Sequence, residues 1–111
     1  MDNCVFCMIA EGKIGCKKVY EDDTVIAFHD IEPQAPVHVL VIPKRHTQSI
    51  LTADKELMGH MLDVCAKLSK ELEIDESGFR VVMNTGEHGN QSVPHLHMHI
   101  LGGRSMQWPP G

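Results

Sequence analysis

A chain of 111 residues is the size of one domain, and a domain this small buries only about two thirds of the surface its unfolded chain exposes, so dimerisation would help it. Ten Lys and Arg against fifteen Asp and Glu leave a net charge of −5, which argues against an electrostatic footprint for a nucleic-acid backbone or an anionic membrane. Any phosphate it binds must be held locally, by backbone N–H groups and His rather than by a basic field.

The N-terminal segment has no basic stretch ahead of an apolar one, and no run approaches the ~18 apolar residues that span a bilayer. The expectation is a soluble, cytoplasmic protein. In that setting the four Cys read as thiols or metal ligands rather than disulfides. Cys4-Val5-Phe6-Cys7 runs on into Met8-Ile9-Ala10 as a short helical turn. A redox C-x-x-C expects a strand before it and an active-site helix after it, and this motif stands too close to the first residue for that, so zinc is the favoured reading. Two further ligands are needed, and His46 and His95 are the nitrogen candidates. Unligated structural thiols are the plain alternative.

Lys18-Val19-Tyr20, then Glu21-Asp22-Asp23, then Thr24-Val25-Ile26-Ala27-Phe28 reads as a hairpin with an acidic turn. Its second strand delivers His29-Asp30-Ile31 to a proline-punctuated connection, Glu32-Pro33-Gln34-Ala35-Pro36, where no sheet ladder can continue. Val37-His38-Val39-Leu40-Val41-Ile42 is a β-branched run suited to a buried central strand, in which His38 must find a hydrogen-bond partner or a ligand. After a basic loop at 43–47, the segment 52–56 reads as a capped helix start. Leu57, Met61, Val64, Leu68 and Leu72, widened by Met58, Leu62 and Cys65, then trace one face of a helix of about five turns. Gly59 inside it costs ~1 kcal/mol relative to Ala, which suggests close approach of another backbone such as a second protomer. His60 reads as a flank residue.

Phe79-Arg80-Val81-Val82-Met83 is another strand, followed by the glycine- and amide-rich stretch Asn84-Thr85-Gly86-Glu87-His88-Gly89-Asn90-Gln91-Ser92. Such a loop can turn N–H groups toward an anion, and Gln91 and Ser92 add side-chain donors. It feeds His95-Leu96-His97-Met98-His99-Ile100-Leu101, three imidazoles alternating with aliphatic residues. Alternation at period two predicts a strand with all three on one face, ~6.5 to 7 Å apart, close enough to converge on a metal ion or a phosphate. A polar strand face that happens to carry His is the bland alternative. The elements together predict an α+β meander: a five-stranded, mainly antiparallel sheet with one long helix and a short N-terminal helix.

The run 95–101 resembles the signature of the histidine triad (HIT) superfamily, in which three His alternate with apolar residues. Phe28-His29-Asp30-Ile31, Pro33-Gln34-Ala35-Pro36-Val37-His38 and Val41-Ile42-Pro43-Lys44 are similar to the first half of its Hint branch. Gly89-Asn90-Gln91-Ser92-Val93, Leu101-Gly102-Gly103-Arg104 and Trp108-Pro109-Pro110-Gly111 resemble the second half. The resemblance covers nearly the whole chain and implies a single HIT domain over 1–111, paired as a two-fold homodimer. It implies a purine nucleotide ligand of the AMP or GMP type, no organic cofactor, and cleavage at the α-phosphate of phosphoramidates, acyl nucleotides or dinucleotides through a nucleotidyl-histidine intermediate.

Carried over residue by residue, the resemblance makes His97 the nucleophile, and a neutral imidazole is competent in that role near neutral pH. His99 and His38 would contact the phosphate, and Ser92 would donate to the leaving atom. Asn84 with the Gln91-Ser92 backbone would hold phosphoryl oxygens, Asp30 would accept from the ribose, and the base would lie among Val5, Phe6, Ile9, Phe28 and Ile31. Pro94 and Asn90 depart from the pattern, which has an aromatic and a glycine there in animal members. Cys4-x-x-Cys7 is similar to some microbial members that hold a structural zinc, a set that maps to Cys4, Cys7, His46 and His95 and is a closed tetrahedral site. His95 would then orient the strand instead of touching substrate. Three other readings stay open: a catalytic metal on the three His, a nucleoside monophosphate-binding regulatory module with incidental hydrolysis, and dinucleoside polyphosphate hydrolysis. The tail from Gly102 to Trp108 favours the phosphoramidase branch over the last.

Overall fold

The computed structural model describes residues 3–111. Its elements are α1 (Val5–Ala10), β1 (Lys18–Glu21), β2 (Val25–His29), β3 (Val37–Pro43), α2 (Lys55–Glu71), β4 (Phe79–Val82) and β5 (Met98–Gly102). The five strands form one sheet in the order β1-β2-β3-β5-β4, and every neighbouring pair is antiparallel. The α+β class, the five strands and the two helices agree with the sequence reading. The meander does not. After α2 the chain reaches the sheet edge as β4, and β5 returns to lie between β3 and β4. Burial explains the order: Met98 and Ile100 of β5 are fully buried, whereas Phe79 of β4 stays exposed, as an edge strand permits.

Local chemistry fixes the turns. The Asp22 carboxylate accepts from the N–H groups of Thr24 and Val25, both at 2.8 Å, closing the hairpin. Asp54 caps α2 by accepting from Leu57 N–H at 2.8 Å. His60 does more than flank the helix, since its Nε2 lies 2.8 Å from Asp22 and ties α2 to the hairpin. Leu62 does not widen the buried stripe; it is exposed. A Cβ placed on Gly59 would meet nothing within 4 Å among the described residues, so none of their backbone approaches there.

Period-two alternation splits the sheet into two faces. Val25 and Ala27 of β2, Val39 and Val41 of β3, and Met98 and Ile100 of β5 pack with Met61, Val64 and Leu68 of α2. The residues between them, Ile26, Phe28, Leu40 and Ile42, pack with Cys4, Phe6 and Cys7 of the N-terminal segment. His38 and His99 fall on this second face, opposite α2. The paired ladder reaches only to Val41↔Met98, so His95 and His97 lie in the extended approach to β5 rather than in the predicted strand. That approach is held instead by Leu96 N–H on the Thr47 carbonyl at 2.7 Å. Among the described residues, no helix is long and apolar enough to cross a membrane.

Candidate active site and metal centre

On the second face, between α1 and the end of the sheet that carries His38 and His99, lies a cleft of about 750 Å³ lined by Val5, Phe6, Ile9, Phe28, Asp30, Ile31, His38, Asn84, Ser92, His97 and His99. The structure thus gathers all but one of the residues expected around a substrate. Gln91 is the one it does not bring to the lining. Its amide nitrogen donates to the carbonyls of Gln48 at 2.7 Å and Val93 at 3.0 Å, and its Oε1 accepts from Gly86 N–H at 3.0 Å. That side chain holds the loop together and has no donor to spare. Ile31 borders the cleft but is 94% exposed, so it forms a rim, while Phe28 and Phe6 form the buried floor. The loop also shows why an Asn stands in place of a glycine at 90. Asn90 has φ 60, a left-handed conformation that Asn tolerates better than other side chains. Gly89 is the position that must be glycine, because a Cβ there would lie 2.4 Å from the Thr85 carbonyl oxygen.

The imidazole tautomers follow from main-chain partners whose roles are fixed. Gln34 N–H can only donate, and it meets His38 Nδ1 at 3.0 Å. The hydrogen of neutral His38 is therefore on Nε2, which points at His99 Nδ1 at 2.9 Å and lies 3.4 Å from an Asp30 carboxylate oxygen. His99 Nδ1 accepts, so the hydrogen of His99 is on Nε2. This atom is buried with no hydrogen-bond partner. His97 Nδ1 lies 2.7 Å from the His95 carbonyl, which can only accept. His97 thus donates through Nδ1 and keeps its lone pair on Nε2. Its ring is 5.0 Å from that of His99 and 5.0 Å from Phe6. Burial, reinforced by the His97 and His38 imidazoles, pushes His99 down to about 4, and burial lowers His38 against the pull of Asp30. His38 and His99 are thus kept neutral, and hydrogen bonds anchored on the main chain orient all three rings. Asp30, His38 and His99 are also close enough to suggest a metal group. The Gln34 bond speaks against that reading, and against a metal on the triad, because it leaves His38 Nε2 and His99 Nε2 protonated and without lone pairs.

His95 belongs to a different centre. Its Nε2 meets the Pro43 carbonyl at 2.8 Å and must donate, which turns the Nδ1 lone pair toward Cys4 Sγ at 3.3 Å, Cys7 Sγ at 3.5 Å and His46 Nδ1 at 3.2 Å. Cys7 Sγ and His46 Nδ1 are 3.3 Å apart. Tetrahedral bonds of ~2.3 Å to sulfur and ~2.0 Å to nitrogen would space sulfur from nitrogen by ~3.5 Å and nitrogen from nitrogen by ~3.3 Å. The four side chains could hold a metal ion, and their donor atoms already stand at those separations. The C-x-x-C spacing works because Cys4 caps α1, its sulfur accepting from Cys7 N–H, so both thiols sit on the first turn.

The sequence reading missed one wall of the cleft: Ile14, Gly15, Cys16 and Lys17. Lys17 accepts from His29 N–H through its carbonyl at 3.0 Å, an extension of the β1–β2 register. The hairpin pairing carried that signal, had it been continued beyond Lys18.

An α+β sheet with His38 and His99 on the face opposite its long helix, and His97 beside them in a cleft as the middle member of a His-x-His-x-His run, points to the histidine triad class of protein. The HIT domain family matches residues 11–106, and the chain belongs to that family. It is similar to an uncharacterized HIT-like protein of Synechococcus elongatus, 46% identical over 113 residues that cover 99% of this chain and 98% of the relative. Among solved structures it is similar to a HIT family hydrolase from Legionella pneumophila, at 46% identity and TM-score 0.95 over 98% of this chain and 100% of that one. A histidine triad protein from Clostridium difficile is 47% identical, with TM-score 0.90 over 96% and 95% of the two chains.

Proposed function

We propose that residues 1–111 form a single HIT domain of the Hint-like branch that hydrolyses purine nucleotide derivatives at the α-phosphate, with phosphoramidates as the preferred class. The observation that carries this reading is the buried, unpartnered Nε2–H of His99 beside His97. A buried donor without a partner costs ~1 to 3 kcal/mol, and a phosphoryl oxygen is the ligand that would satisfy it. The structure of Legionella pneumophila bears the name hydrolase, and a similar Candida albicans structure is named a histidine triad nucleotide-binding protein; both names fit the reading.

In this mechanism the His97 Nε2 lone pair attacks the α-phosphorus while the bond from phosphorus to the leaving nitrogen breaks. The His95 carbonyl, accepting from Nδ1–H, stabilises the charge that develops on the ring. His99 Nε2–H donates to a phosphoryl oxygen, with His38 fixing its orientation, and Asn84 and the 91–92 backbone hold the remaining oxygens. Ser92 donates a proton to the leaving nitrogen. Water then displaces the imidazole, passing one proton back to Ser92 as its oxygen bonds to phosphorus, which releases the nucleoside monophosphate and returns neutral His97. Asp30 accepts from the ribose with the carboxylate oxygen not engaged by Glu32 N–H at 2.8 Å, and the base lies on Phe6 and Phe28 among Val5, Ile9 and Ile31. Charge favours phosphoramidates over dinucleoside polyphosphates. Among the described residues, Lys17 is the one Lys or Arg of the lining, and Asp30 and Glu32 line the same cleft, so a polyphosphate leaving group would meet little countercharge.

Cys4, Cys7, His46 and His95 hold a structural zinc in this reading. Such an ion would be held in a closed Cys2His2 set tying α1 to the approach of β5, and would serve structure rather than bond breaking. The test of the whole is His97→Ala assayed on an adenosine phosphoramidate. Turnover should fall by at least about 10³-fold, while AMP still binds with near wild-type affinity. Retained turnover would remove His97 from the nucleophile role, and binding without turnover in the wild type would leave a regulatory module.

A further inference from the structure

Arg104 follows β5 and the Gly103 turn, and its guanidinium is committed to main chain rather than to an acid. Nε and Nη2 donate to the Gln34 carbonyl at 3.1 and 3.0 Å, and Nη1 donates to the Ser105 carbonyl at 3.1 Å. Two N–H groups of a rigid fork on one oxygen fix direction as well as distance. Gly103 makes the approach possible, with φ +87 and a backbone so near the same loop that a Cβ would lie 2.9 Å from Pro36 Cβ. The clamped loop has few anchors of its own. From Ile31 to Pro36 only Ala35 is buried.

What the loop carries is the Gln34 N–H that meets His38 Nδ1 at 3.0 Å. That bond puts the His38 hydrogen on Nε2, makes His99 Nδ1 the acceptor at 2.9 Å, and so leaves the His99 hydrogen on Nε2, the buried atom without a partner, on a residue that lines the cleft. If the loop withdrew, His38 Nδ1 could take the hydrogen and its Nε2 would become the acceptor. His99 would then donate back through Nδ1 and turn a lone pair toward the phosphoryl group. Attraction would become repulsion at the same atom.

We infer that Arg104 is a positioning residue of the histidine site: by clamping the Gln34 main chain, it holds His38 and His99 in the tautomers that present His99 Nε2–H to a phosphoryl oxygen. The link to turnover rests on the phosphoryl-transfer reading above; the tautomer order does not. The test uses full-length Arg104→Ala and Arg104→Lys proteins with ¹⁵N-labelled His, reading by nitrogen chemical shift which ring nitrogen bears hydrogen. Wild type should show Nε2–H at His38 and His99 and Nδ1–H at His97. Arg104→Ala should move His38 and His99 toward Nδ1–H and leave His97 unchanged, which certifies the fold. Its kcat on the phosphoramidate should fall about 10-fold, with KM within about threefold, and Arg104→Lys should restore part of both. An unchanged tautomer pattern in Arg104→Ala overturns the inference whatever the turnover does, and so does a changed pattern with wild-type kcat. If the His97→Ala test fails, the phosphoryl reading falls while the tautomer result stands by itself.

Discussion

Acidification probes the histidine site through stability. His99 is pushed down to about 4 by burial and by the neighbouring His97 and His38 imidazoles, whereas an imidazole in the unfolded chain titrates near ~6.5. Between the two values the unfolded chain binds a proton that the folded chain refuses. Stability on this account is therefore full above pH ~6.5, falls as pH drops, and stops falling near the folded value of about 4. At ~1.4 kcal/mol per pH unit the gap amounts to roughly 3 kcal/mol, a large part of the ~5 to 15 kcal/mol that keeps a domain folded. His38, also lowered by burial, adds loss in the same direction. Urea unfolding of wild type and His99→Gln across pH 4 to 7.5 measures the difference. The variant's stability should decline less steeply by about 2 to 3 kcal/mol over the window. Parallel declines would refute the claim that the fold keeps His99 neutral.

Metal analysis of protein purified without added metal should find about one zinc per chain, as a four-ligand set requires, and Cys7→Ser should lose it and lower the thermal midpoint. Free titratable Cys4 and Cys7 with no metal would end the zinc reading. For the homodimer that the family resemblance implies, the open edge of β4 and exposed Leu62 beside Gly59, where a Cβ would meet nothing within 4 Å among the described residues, are candidate contact surfaces. Sedimentation should give roughly twice the 12.4 kDa chain mass, and Leu62→Glu should shift it toward monomer; a monomeric wild type would sink the proposal.

Much of this was legible because alternation encodes faces. Val39 and Val41 against Leu40 and Ile42 already separate the two sides of the sheet, and the same alternation puts His99 with His38. The His95-x-His97 pair misled, since period two continues past the last ladder bond, and only the tertiary bond from Leu96 to Thr47 reveals that the strand has ended. The insertion of β5 between β3 and β4 depends on burial at both flanks, which no single stretch displays. Gln91 looked like a donor because loop amides near His so often are; its partners, Gln48 and Val93, could be known only once the loop was folded. Cys4 and Cys7 were readable as ligands from spacing, but that His95 turns Nδ1 toward them is decided by the Pro43 carbonyl.

The 2.7 Å bond from His97 to the His95 carbonyl gives one residue two employers. The His95 side chain answers to the thiol cluster and its main chain to the cleft. With a metal in the cluster, a chelator that strips it would slacken the peptide that keeps the His97 lone pair on Nε2, and the rate would drop without any metal at the reacting phosphorus. Chelator sensitivity by itself would therefore not distinguish a structural metal at the cluster from a catalytic one in the cleft. The separating measurement is His97 ring-nitrogen protonation before and after stripping, because a reacting metal would leave that pattern intact.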